Sequence, residues 1–140
     1  VIAMTEINVL LVDDEPDFIA PLTNRLALRK LNVLNASSGE EALATLEANP
    51  VDVVVLDVKM PGMDGIEAIR QIKKRHPLVE VIMLTGHASL EASIEGMELG
   101  AFDYLLKPAA IDDLVYKIQD AHKKKSLQEK KIAALKESAG

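Results

Sequence analysis

The chain contains no cysteine, which excludes a disulfide scaffold, a zinc finger and a thiol nucleophile. It has no tryptophan, and aromatic residues make up only 3% of it, too few for a stacking platform for single-stranded nucleic acid. No apolar run approaches the roughly 18 residues that a membrane span needs. Basic residues are in the minority: 16 Lys+Arg against 22 Asp+Glu give a formal net charge of −6, so a nucleic-acid surface spread over the whole chain is not expected. The first residues, Val1 to Glu6, lack the basic start and apolar stretch of a signal peptide. The expectation is an acidic, soluble, cytoplasmic protein that binds neither nucleic acid nor membrane.

What is present suffices for one domain. A chain of 140 residues that is 49% hydrophobic can bury a core without covalent staples. Its charge is uneven. Residues 1–116 hold 9 Lys+Arg and 19 Asp+Glu, a balance of −10, whereas residues 117–140 hold 7 Lys and 3 acids, a balance of +4. A domain over 5–122 and a basic, helical or disordered tail over 123–140 are expected. No Gly or Pro occurs between Ala109 and Ala139, and the Ala, Leu, Lys, Glu and Gln found there favour a helix running to about Lys136. A heptad traced through Leu114, Ile118, Ala121, Lys125, Gln128, Ile132 and Leu135 has a polar middle, which argues against a stable coiled coil. The tail then reads as a solvated or disordered extension, with a linker to an output domain or a dimer contact as the functional alternatives.

Five short apolar runs, at 7–12, 32–36, 52–56, 79–84 and 102–106, read as strands. Three are rich in Val and Ile with little alternation, as strands buried on both faces should be, while the second alternates like an edge strand. Helical spacing lies between and after them: Ala42, Leu43 and Leu46; Ile66, Ile69 and Ile72; Leu90, Ile94 and Met97; Leu114, Val115, Ile118 and Ala121. Ser38 with Glu41, and Asp64 with Glu67, have the spacing of capping boxes. Asn49-Pro50, His76-Pro77 and Gly100 mark helix ends. Pro21 falls inside the first helical segment and leaves that boundary open. Five alternations predict an α/β fold, a doubly wound parallel sheet; its flavodoxin-like (βα)5 form has the strand order 2-1-3-4-5. The functional crevice of such a sheet lies at the carboxyl ends of its strands.

Those ends carry Asp13, Asp14 and Glu15 after strand 1, Asp57 after strand 3, Thr85 and Gly86 after strand 4, and Lys107 and Pro108 after strand 5. Strands 1 and 3 would be neighbours, so their carboxylates converge and repel unless a cation joins them. Hard oxygen donors suit Mg2+. A lysine ammonium and a threonine hydroxyl can both bind phosphoryl oxygens. Carboxylate nucleophile, metal and lysine together are what phosphoryl transfer requires. Each residue also has a plainer role: Asp13-Asp14 as a helix cap, Asp57 as a solvated turn residue, Thr85 as an N-cap, Tyr104 as a packing residue. Lys59, His87, His76 and His122 read as surface residues.

Taken in order, Val9-Leu10-Leu11-Val12-Asp13-Asp14-Glu15, then Val55-Leu56-Asp57 through Met60-Pro61-Gly62-Met63-Asp64-Gly65, Leu84-Thr85-Gly86 and Gly100-Ala101-Phe102-Asp103-Tyr104-Leu105-Leu106-Lys107-Pro108 resemble the response regulator receiver domain, the phosphoacceptor of two-component signalling. The resemblance implies that Asp57 accepts a phosphoryl group from a histidine kinase or phosphotransfer protein. It implies Mg2+, with Mn2+ as a substitute, held by Asp13, Asp14, Asp57 and the backbone carbonyl of Lys59. It makes Lys107 the clamp on the phosphoryl oxygens, Thr85 and Tyr104 the switch residues, and the Lys107–Pro108 peptide cis. The readout is a changed surface of helix 4, strand 5 and helix 5 that acts on a partner or output domain or forms a homodimer. Slow autodephosphorylation is implied, but not turnover of an outside substrate. Ala109 and Ala110 stand where the family often has Phe and a polar cap, so a looser start to the last helix is expected, partly offset by Asp112 and Asp113. An aspartyl-nucleophile phosphatase is disfavoured by the absence of Asp-x-Asp after strand 1. A pseudo-receiver is disfavoured by the presence of Asp13, Asp14, Asp57, Thr85 and Lys107 together.

Overall fold

A computed structural model describes residues 6–58, 64–86 and 90–139. Strand and helix alternate as β1 (Asn8–Val12), α1 (Pro16–Leu28), β2 (Asn32–Ala36), α2 (Gly39–Ala48), β3 (Val53–Asp57), α3 (Gly65–Arg75), β4 (Glu80–Thr85), α4 (Leu90–Glu98), β5 (Asp103–Leu106) and α5 (Ile111–Ala139). Among the described residues the strands form one parallel sheet in the order β2-β1-β3-β4-β5. This is the flavodoxin-like arrangement expected from the alternation.

Strand periodicity divides the core in two, because successive side chains point to opposite faces. Leu10, Val12, Val54, Leu56, Val81 and Met83 meet Leu43, Leu46, Ile69 and Ile72 of α2 and α3 on one face. Val9, Leu11, Val53, Val55, Ile82 and Leu84 meet Leu26 of α1 and Leu114, Ile118 and Ala121 of α5 on the other. Both faces of β1, β3 and β4 are therefore apolar, which is why those strands lack alternation.

The helix signals act locally as their spacing suggests. Ser38 Oγ accepts the Glu41 N–H at 3.1 Å, and Asp64 Oδ1 accepts the Glu67 N–H at 2.8 Å. The Glu41 carboxylate turns back to accept from the Ser37 hydroxyl and N–H, and these bonds hold its pKa below the ordinary value. Pro16 opens α1, where a missing N–H costs nothing. Pro21 does not delay the helix, which runs through it. Its position is exposed, so the lost hydrogen bond falls on the water-facing side of the helix.

A charged layer closes the end of the sheet opposite the motif-bearing rim. Glu80, which is 3% exposed, meets Lys73 at 3.7 Å and Lys124 at 3.3 Å. Asp52 accepts the Asn8 N–H at 2.8 Å and the Lys125 ammonium at 3.1 Å. The helix α5 continues unbroken to Ala139, and Lys124 and Lys125 tie it to this base just past Ala121, its last buried residue. Burial lowers the pKa of Lys73, with Glu80 opposing. Burial acts downward on Lys125 too, but hydrogen bonds to Asp52 and Glu129 outweigh it and the pKa is raised.

Gly65 begins α3 against the backbone of Val58: a Cβ there would stand 2.5 Å from the Val58 carbonyl oxygen. Gly65→Ala should lower the unfolding free energy by about 1–3 kcal/mol, read as a lower urea midpoint at unchanged m-value. Because the Lys125 pKa is raised on folding, its stabilising contribution is present below the ordinary lysine value and lost as pH rises through the raised one. The stability gap between wild type and Lys125→Met, followed by urea titration, should therefore close at strongly alkaline pH.

Candidate functional site

Strand register brings the motif residues to one rim. Val12 pairs with Leu56, so Asp13, the next residue, stands beside Asp57. Asp57 pairs with Leu84, and Thr85 with Leu106, so Lys107 leaves β5 at the same level. Asp57 and Thr85, expected just beyond their strands, are the last residues of β3 and β4, because each still pairs in the ladder. Asp13, Asp57 and Thr85 are buried, at 1%, 8% and 1% exposure, whereas Asp14 is exposed.

Lys107 occupies the centre of the group. Its ammonium lies 3.2 Å from Asp13 Oδ2 and 3.6 Å from Asp57 Oδ1. It also stands 4.3 Å from the centroid of the Phe18 ring, on the first turn of α1. The Lys107 backbone N–H donates to the Thr85 carbonyl at 2.8 Å, tying the ends of β4 and β5 together. Asp13 Oδ1 accepts the Glu15 N–H at 3.0 Å, which fixes that carboxylate. The Thr85 hydroxyl donates to the Gly86 carbonyl at 3.2 Å. Among the described residues, a Cβ on Gly86 would meet nothing within 4 Å. The Lys107–Pro108 peptide bond is cis. Tyr104 on β5 is 43% exposed. A partly open cavity of about 210 Å³ adjoins Lys107, with Phe18, Leu84, Pro108, Ala109 and Leu114 among its lining residues.

Asp13, Asp14 and Asp57 each offer a carboxylate oxygen, all within 4.8 Å of one another. At an effective dielectric near 20, like charges at such a distance repel by about 3 kcal/mol. One lysine cannot neutralise three carboxylates. The donor set is hard, anionic and all oxygen, the chemistry that fits Mg2+. Lys59 and His87 lie outside the described residues. His76 pairs with Glu47 at 3.2 Å, away from the rim residues.

Phe18 was not among the residues singled out from the sequence. Its signal was faint: one of only two phenylalanines, placed on the first turn after the acidic strand end. A lone aromatic at a helix start ordinarily reads as core. The crowding of carboxylates has a measurable consequence in the absence of metal. Asp57→Asn should raise stability in chelator by about 1 kcal/mol, measured by urea unfolding at neutral pH, with the gain shrinking when Mg2+ is added.

Comparison with known proteins agrees with this geometry. The response regulator receiver domain profile matches residues 9–119. The DNA-binding transcriptional regulator NtrC of Salmonella typhimurium is 41% identical over 113 residues, 81% of this chain and 24% of that protein. The chain thus spans about a quarter of the length of the curated relatives it matches, NtrC of Escherichia coli included, at 24%. Among solved structures, a response regulator receiver domain protein from Clostridium thermocellum superposes with a TM-score of 0.83 at 40% identity, over 87% of this chain and 98% of that one. NtrX from Brucella abortus, in complex with ADP, gives a TM-score of 0.84 at 28% identity, over 90% of this chain and 29% of that one. With the motif residues gathered on one rim and the match spanning nearly the whole sheet, the chain belongs to the response regulator receiver domain family.

Proposed function

We propose that this chain is a phosphorylation-switched signalling module that accepts a phosphoryl group on Asp57 from a histidine kinase or phosphotransfer protein. The observation that carries this reading is the meeting of Asp13, Asp14 and Asp57 within 4.8 Å of one another, beside the Lys107 ammonium. Mg2+, or Mn2+ in its place, held by the three carboxylates and the Lys59 carbonyl, would offset charge on the transferring group. Asp57 is the nucleophile: its carboxylate attacks phosphorus as the donor's phosphorus–nitrogen bond breaks. Lys107 is already within 3.6 Å of the accepting carboxylate and takes the equatorial oxygens as they gain charge.

Phosphorylation adds about −1.5 to −2 charges and three acceptor oxygens at Asp57. The Thr85 hydroxyl exchanges its Gly86 carbonyl for one of those oxygens. Tyr104, exposed on β5, turns into the space that Thr85 leaves. This is a shift between two states, biased by contacts to the phosphoryl group. The changed surface is that of α4, β5 and α5. Ile94, Leu106 and Tyr116 are exposed there, at 61%, 37% and 69%, and such apolar exposure favours a partner, an output domain or a second copy.

The receiver unit runs over 5–122, and 123–140 serves as a basic helical linker toward an output domain of the kind that NtrC's description as a DNA-binding transcriptional regulator implies. Nucleic acid would be bound by that domain and not by this one. No described helix is long and apolar enough to cross a membrane, and the module works in the cytoplasm. It transfers phosphate to itself and hydrolyses it slowly, and turns over no outside substrate.

Acetyl phosphate with Mg2+, followed by intact mass spectrometry, should add a single phosphoryl group to the wild type and none to Asp57→Asn. No adduct with any donor would leave a binding module without phosphorylation. Steady phosphate release from unrelated phosphoesters would favour a phosphatase.

A further inference from the structure

Lys107 has a third neighbour that the phosphoacceptor scheme does not use. Its ammonium lies 4.3 Å from the centroid of the Phe18 ring, in addition to its contacts with Asp13 and Asp57. Asp13 is both closer and more deeply buried than Asp57. Charge alone therefore draws the ammonium toward β1 and away from the accepting carboxylate. A four-carbon side chain has ample freedom to follow that pull, and ordering it costs rotamer entropy.

Among the described residues, Phe18 is an uncharged group that the ammonium meets. Lys107 is followed by Pro108 and Ala109, and the cavity of about 210 Å³ that adjoins the lysine is lined by both. Ala109 projects too little side chain to support the lysine from that side. Asp17 lines the same cavity and offers a competing carboxylate. The Phe18 ring presents a negative face to the ammonium without carrying a charge. Unlike a carboxylate, it does not compete with the incoming phosphoryl group. Its own position is secured because it packs against the core on the α1–α5 face of the sheet.

We propose that Phe18 is a positioning residue for phosphoryl acceptance: its ring holds the Lys107 ammonium beside Asp57 through a cation–π contact. This inference rests on the reading of Asp57 as phosphoacceptor. Phe18 touches neither the donor nor the reacting atoms and acts through Lys107.

The test uses the whole chain, acetyl phosphate and Mg2+, with Phe18→Leu, Phe18→Tyr and wild type compared. Phe18→Leu should slow phosphorylation of Asp57 by about three- to tenfold, the range that a partly desolvated cation–π contact spans. Phe18→Tyr, which keeps the aromatic face, should restore the rate. An NMR signature separates positioning from simple packing. In metal-free wild type the Lys107 ε-methylene protons should be shifted upfield by the ring. The shift should vanish in Phe18→Leu and persist in Phe18→Tyr, while the amide spectrum of the remote α3 stays unchanged. Ordinary ε-methylene shifts in the wild type would overturn the proposal. So would Phe18→Leu phosphorylating at the wild-type rate, or Phe18→Tyr failing to rescue while folded. A wild type that accepts no phosphoryl group at all would instead overturn the phosphoacceptor reading on which the proposal stands, and the ring-current shift would still report whether the contact exists.

Discussion

The convergence of three carboxylates, two of them in contact with the Lys107 ammonium, is the constraint on which the rest of the rim depends. Asp13 and Asp57 are forced together by the pairing of Val12 with Leu56, and neither can retreat, because both are buried. Lys107, the cation found there among the described residues, is delivered from the far edge of the sheet by β5 and fixed by its backbone bond to Thr85. A charge imbalance held in place by an apolar core is not relieved by relaxation. Under the proposed function a bound cation would relieve it, and an added phosphoryl group would rearrange it by recruiting the lysine. The fold thus concentrates electrostatic stress at the carboxyl rim of the sheet.

Much of this was legible in the sequence, for reasons that can be named residue by residue. The Val-rich runs of β1, β3 and β4 have no polar face because helices cover both sides. Ser38 and Asp64 announced their helices because a side-chain oxygen three residues before an N–H can close only one local bond. The site was readable because parallel strands must all end on one rim, so residues far apart in sequence become neighbours once the strand order is known.

What the sequence concealed depends on contacts with no fixed spacing. Glu80 sits among Val79, Val81 and Ile82, a place where periodicity reads only burial. Its partners Lys73 and Lys124 come from α3 and α5, and no local rule links them. Asp52 and Lys125 are 73 residues apart. Phe18 looks like any core aromatic until Lys107 is placed beside it. Pro21 was ambiguous because its effect turns on which side of α1 faces water, and only the packed helix decides that. The basic tail was ambiguous for a related reason. Its composition favours helix, but the ion pairs that anchor it are made to Glu80 and Asp52, residues far from it in sequence.

Those anchors give α5 a mechanical character. The helix is continuous over 29 residues, which at the α-helical rise makes a rod of about 43 Å. Its first part lies against the core, and Lys124 and Lys125 fix it where it leaves the sheet. The remaining turns project about 20 Å beyond that fulcrum. A rigid rod so mounted converts angle into distance: a rotation of about 10° at the base sweeps its free end through roughly 3–4 Å, on the order of a side chain's width. Displacements too small to notice within the domain would thus be magnified at the far end of the helix.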